Sequence, residues 1–289
     1  ANHNFWVWFK QEMEKIKPDV YLVGEVWASS QVVAPYLSGL PSLFNFDLGY
    51  AITDVVKAGR DTNNLVKKYK DIRDYYTSIT TDYLDATFVK NHDQTRILTE
   101  LKGDTNKARM AAAILLTMPG TPYIYYGEEI GMLGDKLSTY ADQFGPDAFV
   151  REPFVWDKDK NAVIQTSWEV PRYSTSETVT PLSLQQSDPN SLYNFYKTLI
   201  NFRNSRPALT YGGIEEAGID ATELVGFIRG HENNEALVIH NVSDVEVTVK
   251  LDGKNSRFST VTYDSKGGLV VENGELRVPA WSSVVLEEN

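Results

Sequence analysis

Two short segments constrain the fold more than anything else in this chain. Residues 20–27, Val-Tyr-Leu-Val-Gly-Glu-Val-Trp, make an almost unbroken apolar run that delivers Glu25 beside Trp27. Residues 86–93, Ala-Thr-Phe-Val-Lys-Asn-His-Asp, repeat the design and end on Asp93. Near-continuous apolar runs of this length suit strands of a parallel sheet covered on both faces. Parallel neighbours need long crossovers, usually helical, and the intervening sequence supplies them. Phe5, Trp8, Phe9, Met13 and Ile16 recur at helical spacing until Pro18 and Asp19 stop the helix. The patterns predict strands over 19–25, 42–48, 86–91 and 122–126, the last closed by Gly127. They predict helices over 51–70, interrupted at Gly59, and over 106–117 and 192–202.

Between 128 and 190 the periodicity fails, with Gly, Pro, Ser and Asp throughout. A loop this long in a compact domain is usually functional or disordered; Trp156, Trp168 and Tyr173 favour an ordered one. After about Thr210 the pattern changes to short alternating strands with turns, at 237–241, 246–251, 258–263, 269–272 and 282–286, as in a small sandwich. The expected domains are 1–209 and 210–289. Four β/α units are half of an eight-stranded barrel. A flavodoxin-like open sheet is the alternative, although the glycine-rich phosphate loop such folds often use is missing.

Composition narrows the function. A net charge of −11 disfavours nucleic acid, whose binding depends on phosphate neutralisation, and does not oppose a neutral polysaccharide. The 6 Trp and 16 Tyr suit sugar stacking and an aromatic core equally, so they decide nothing alone. With no cysteine, disulfides, thiolate metal sites and cysteine nucleophiles are excluded. The most apolar stretch, around Ala111–Met118, is far shorter than the roughly 20 residues of a membrane span. No signal peptide is visible at the start. In a β/α barrel the catalytic groups lie at the C-terminal ends of the strands. Two acids delivered to one rim therefore suggest glycosidic-bond chemistry.

Five segments carry a family resemblance. Gly24-Glu25-Val26-Trp27, Phe88-Val89-Lys90-Asn91-His92-Asp93 and the run from Gly120 to Glu129 resemble signature segments of the α-amylase family, glycoside hydrolase family 13, at its barrel strands five, seven and eight. The run from Gly39 to Phe46 resembles the approach to strand six, and Arg151-Glu152-Pro153-Phe154-Val155-Trp156 a segment of the last active-site loop. The resemblance covers essentially the whole chain. It implies an α/β fold, the second half (strands 5–8) of a (β/α)8 TIM barrel followed by an all-β sandwich domain.

The same resemblance assigns roles. Glu25 corresponds to the general acid/base of a retaining mechanism, Asp93 to the transition-state stabiliser, and His92 to a hydrogen-bonding partner of the same sugar ring. Trp27 is placed on the aglycone side, where an indole face suits the apolar face of glucose; core packing competes with that reading. Arg151 and Glu152 are expected to line the glycone side. Arg96 reads as an ion-pair anchor for the Asp93 motif or as a structural residue, and Glu129 as a brace under the loop.

One departure matters. The family nucleophile lies in an Arg-x-Asp-Ala segment at strand four, and neither Gly59-Arg60-Asp61 nor Asp85-Ala86 imitates it. The expectation is a C-terminal portion of an amylase-like enzyme, inactive alone. Its partners would be an α-glucan substrate and the N-terminal half of the same enzyme, as a separate chain or fragment. The resemblance allows calcium in the complete enzyme, with no complete metal site in this chain. It favours a secreted, periplasmic or cell-surface location over a cytoplasmic one. The implied activity is retaining endo-hydrolysis of α-1,4-glucosidic bonds in starch or maltooligosaccharides. Alternatives are an α-glucosidase or α-1,6-glucosidase of the same family and a non-catalytic amylase-like interaction domain. Retention of Glu25, His92 and Asp93 favours the enzyme.

Overall fold

A computed structural model describes residues 2–136, 145 and 147–288. Helix α1 (Asn2–Ile16) leads into β1 (Val23–Gly24), followed by α2 (Ser30–Val33), β2 (Ser42–Leu43), α3 (Phe46–Ala58) and α4 (Leu65–Thr77). Then come β3 (Ala86–Phe88), α5 (Ile97–Glu100), α6 (Thr105–Thr117) and β4 (Thr121–Tyr123). Strand β1 pairs in parallel with β2 (Val23 with Ser42, Gly24 with Leu43), and β3 in parallel with β4 (Ala86 with Thr121, Phe88 with Tyr123). A parallel bridge between Phe44 and Ala86 joins the two pairs, so the four strands run side by side in chain order. This is the second half of a (β/α)8 barrel. Among the described residues β1 pairs only with β2 and β4 only with β3, which leaves both outer edges of the sheet open.

The paired lengths are shorter than the apolar runs suggested. The run expected as strand over 42–48 turns into helix at Phe46, because the Asn45 side chain accepts from Leu48 N at 2.9 Å and caps α3. The helix expected over 51–70 is two helices. Gly59 closes α3 in the left-handed region at φ +66°, and Asn64 caps α4 through Lys67 N at 2.9 Å. Helix α1 has no buried residue despite its apolar spacing, and Phe5, Trp8 and Ile16 lie exposed. It approaches the rest of the fold closely at Gly39, where a Cβ would come within 2.4 Å of the Trp6 backbone.

Beyond β4 the long loop contains α7 (Leu182–Gln185), and α8 (Leu192–Asn204) and α9 (Pro207–Tyr211) follow it. The C-terminal part is all-β. Strands β5 (Gly213–Glu216), β6 (Leu224–His231), β7 (Asn234–Asn241), β11 (Ser282–Glu288) and β9 (Phe258–Asp264) form one antiparallel sheet in the order β5-β6-β7-β11-β9. A two-stranded ribbon, β8 (Val247–Lys250) with β10 (Glu275–Val278), lies over it. Phe258, Leu237, Ile239, Leu276, Val278 and Val284 are packed in one apolar core that draws on both sheets. The strand expected at 269–272 forms only a bridge from Glu272 to Glu275, since Asn273 and Gly274 turn the chain at positive φ.

The other face of the large sheet packs directly on the helices. One continuous core contains Ile52, Val56, Leu65 and Ile114 together with Phe227, Val238 and Val285. Polar groups register this seam. Arg229, fully buried, donates to the carbonyls of Thr117, Leu209, Gly212 and Gly213. Burial pushes its guanidinium down to about 9, and the four carbonyl dipoles take the place of a carboxylate. His240 bonds Thr117 Oγ1 at 2.9 Å through Nε2 and Ser283 Oγ at 2.8 Å through Nδ1. Burial lowers its pKa to about 3, so it sits there as a neutral ring. No helix of the described residues is long and apolar enough to cross a membrane.

Candidate active site

The site is built at the ends of β1 and β3. Gly24 has no side chain because a Cβ there would meet Leu40 Cδ1 at 2.6 Å and Leu43 Cδ2 at 2.7 Å. That close approach carries β1 to its end, and Glu25 emerges exposed. From the end of β3 the chain leaves as Val89-Lys90-Asn91-His92-Asp93. Lys90 turns inward, only 3% exposed, and binds Glu100 Oε1 at 2.6 Å. Asn91 then joins the two strand ends. Its Nδ2 donates to Glu25 Oε1 at 3.4 Å, and its Oδ1 accepts from Asp93 N at 3.0 Å.

Asp93 is held from two sides. His92 Nε2 lies 3.4 Å from Oδ2, and Arg151 donates to Oδ1 at 2.6 Å. Arg151 also donates through Nε to the His92 carbonyl at 2.9 Å and through Nη2 to Asp147 Oδ2 at 2.9 Å. The planar guanidinium thus spans both residues of the motif, a geometry a single ammonium would not reproduce. Glu25, His92, Asp93 and Arg151 are brought to one rim.

Trp27 is 53% exposed, yet it is fixed. Its ring stacks on Phe46 with centroids 4.8 Å apart and planes 11° apart, and Nε1 donates to Tyr50 Oη at 3.0 Å.

Arg96 takes the structural one of its two readings, and Glu152 departs from expectation. Asp93 takes Arg151 as its ion-pair partner, while Arg96 is buried in the loop below. The Arg96 guanidinium sits 4.6 Å from the Tyr125 ring centroid and 4.7 Å from that of Tyr126, and donates to the Tyr126 carbonyl at 2.6 Å. Glu152, expected with Arg151 on the sugar-facing side, is instead fully buried. Its carboxylate accepts from Arg172 N at 2.6 Å, Tyr173 N at 3.0 Å and Ser174 N at 2.6 Å, so it anchors the loop from within. Burial raises its pKa, and those three amides oppose the shift. Glu129 accepts from Gly127 N at 2.7 Å and braces the turn after β4. Its neighbour Glu128 is buried without a hydrogen-bond partner, and desolvation pushes it up to about 8.

Sequence reasoning passed over Asn91, Tyr50 and Asp147. Only Asn91 had a signal, its place directly before His92. Among the described residues no group of three or more His, Asp or Glu could hold a metal ion.

A family model described as the α-amylase catalytic domain matches residues 1–212, and one described as the C-terminal domain of the α-amylase SusG matches 224–285. The chain belongs to the α-amylase family. It is 38% identical to α-amylase 3 of Dictyoglomus thermophilum over 253 residues, 88% of this chain and 49% of that protein. It is 31% identical to the α-amylase SusG of Bacteroides thetaiotaomicron over 281 residues, 93% of this chain and 38% of that protein. The crystal structure of an α-amylase from H. orenii superposes with a TM-score of 0.86 at 38% identity, covering 100% of this chain and 57% of that one. Further relatives are named 4-alpha-glucanotransferase and cyclomaltodextrinase. The chain spans about half the length of the curated relatives it matches, or less, at 49% and 38% of the two amylases.

Proposed function

We propose that this chain supplies the acid/base half of a retaining α-glucan hydrolase acting within α-1,4-linked chains, and that the nucleophilic carboxylate comes from polypeptide outside it. One observation carries the reading: Asn91 ties the Glu25 carboxylate to the backbone of Asp93, so both acids face one rim and their spacing is held. Glu25 protonates the glycosidic oxygen as the nucleophile takes C1, and its carboxylate then removes a proton from the water that releases the glycosyl ester. Asp93, oriented by Arg151 and His92, opposes the positive charge that develops on the ring. The open edges of the sheet and the exposed apolar side of α1 support docking of the remaining β/α units, on the same polypeptide or a separate one.

The test compares Glu25→Gln with wild type in the complete enzyme. Glutamine keeps the shape and loses the proton. Turnover of starch should fall by a factor on the order of 10³ or more, while a glycosyl fluoride, whose leaving group needs no proton, should lose far less in the first step. Equal losses on both substrates would remove Glu25 from the acid role.

A further inference from the structure

The first turn of α3 does more than cap the chain after β2. Phe46 and Tyr50 are one helical turn apart, so they project from the same face. Both reach Trp27. Phe46 supports one face of the indole at 4.8 Å and is itself braced edge-on by Phe88, with centroids 5.0 Å apart and planes at 88°. Tyr50 accepts the indole N–H at 3.0 Å. The Tyr50 ring lies 5.8 Å below the ammonium of Lys90, which ties it to the segment bearing Asp93. Trp27 remains 53% exposed, so a ring face is left for solvent or a ligand.

We propose that Tyr50 is a positioning residue that fixes Trp27 as a stacking platform for the sugar on the leaving and arriving side of Glu25. Through that platform it sets how the glycosyl intermediate is divided between water and a sugar acceptor. This deepens the α-glucan reading above and rests on it. A general acid must lie beside the oxygen it protonates, and the family resemblance places Trp27, two residues beyond Glu25, on the side of the departing sugar. The same position receives the incoming nucleophile in the second step. There the acceptor oxygen, from water or from a sugar hydroxyl, forms a bond to C1 as the C1–ester oxygen bond breaks. The acceptor proton passes to Glu25, and the nucleophile leaves as carboxylate. Water needs no platform; a sugar acceptor does. An indole already held by a stack and a hydrogen bond loses little freedom when a ring settles on it, which favours the sugar. Because Tyr50 occupies the indole N–H, the platform offers an apolar face and no competing donor.

Tyr50→Phe removes one hydroxyl and keeps the ring under Lys90. In the complete enzyme with maltotetraose as donor and acceptor, the ratio of transfer to hydrolysis products should fall about threefold to tenfold, the span that one hydrogen bond of ordinary strength supports. KM for the oligosaccharide should rise over the same range. Turnover of α-maltosyl fluoride, whose leaving group makes no stack, should change less. Tyr75→Phe, an exposed hydroxyl on α4, serves as the control and should leave the ratio unchanged. An unchanged ratio and KM in Tyr50→Phe overturns the proposal, as does an equal loss on oligosaccharide and fluoride. The two readings separate in wild type: no turnover of maltotetraose defeats the α-glucan reading and this proposal with it, whereas turnover with an unmoved ratio defeats this proposal alone.

Discussion

Glu152→Gln separates a loop anchor from a sugar contact. In the structure three backbone amides, at Arg172, Tyr173 and Ser174, converge on the Glu152 carboxylate. A carboxylate only accepts, so it can serve all three; a carboxamide has one accepting oxygen and an NH2 that would point a donor at a donor. At least one buried N–H then loses its partner, at a cost of about 1–3 kcal/mol, and the surviving bonds lose their charge assistance. Relief of the buried charge works the other way, since burial raises the Glu152 pKa. The net expectation is a loss of about 1–2 kcal/mol, which in a protein of this size lowers Tm by about 2–6 °C. Thermal unfolding of the complete enzyme reads this directly. Michaelis kinetics on a maltooligosaccharide should show a raised KM with kcat changed by less than about threefold, because the loop loosens without losing a reacting group. An unchanged Tm together with a fall in kcat of tenfold or more would refute the anchor and return Glu152 to the sugar.

Two further outcomes are expected. Burial raises the Glu128 pKa well above the usual carboxylate range, to about 8, so protonation favours the folded state. Its contribution is complete below about pH 4.5 and is lost as pH rises towards 8; by linkage Glu128→Gln should remove a slope worth up to about 3–5 kcal/mol from urea denaturation measured across that window, and an unaltered slope would contradict it. Arg151→Ala should leave Tm nearly unchanged, because a partly exposed ion pair is worth about 0–1 kcal/mol. It should nevertheless lower kcat/KM about tenfold to a hundredfold through the freed Asp93, with Arg151→Lys failing to rescue; full activity in the alanine variant would count against it.

The half-barrel was legible because its strands are apolar runs that no helix period explains, and the acids mark their ends. Strand lengths were not, since β1 and β4 each have one paired neighbour and only the registered residues join the ladder. The cap at Asn45 was hidden by an apolar run that crosses from strand into helix. In the sheet domain β6 escaped notice because Gly226, Arg229 and Gly230 break its alternation, and Arg229 proves to be the most thoroughly bonded group of the seam. At the site, Glu25, His92, Asp93, Trp27 and Arg151 could be nominated from local motifs. The contacts of Asn91 with Glu25 and of Tyr50 with Trp27 bridge distant segments, and neither residue type announces such a bond. Glu152 misled for a plain physical reason: a charged residue beside an arginine on a polar loop is usually solvated, and here it is swallowed by three amides.

The seam between the helices and the large sheet bears on how such proteins can be recombined. Arg229 reads carbonyls from α6, α9 and the start of β5, and His240 bonds the Thr117 hydroxyl at the same helix end. Neither finds its partners within its own strand. Grafting this sheet domain onto a foreign barrel would therefore strip Arg229 of the Thr117 and Leu209 carbonyls and His240 of the Thr117 hydroxyl unless the host supplied equivalents. Thr117, Arg229, His240 and Ser283 form an inheritance unit, and chimeras that keep the four together should fold where those that split them do not.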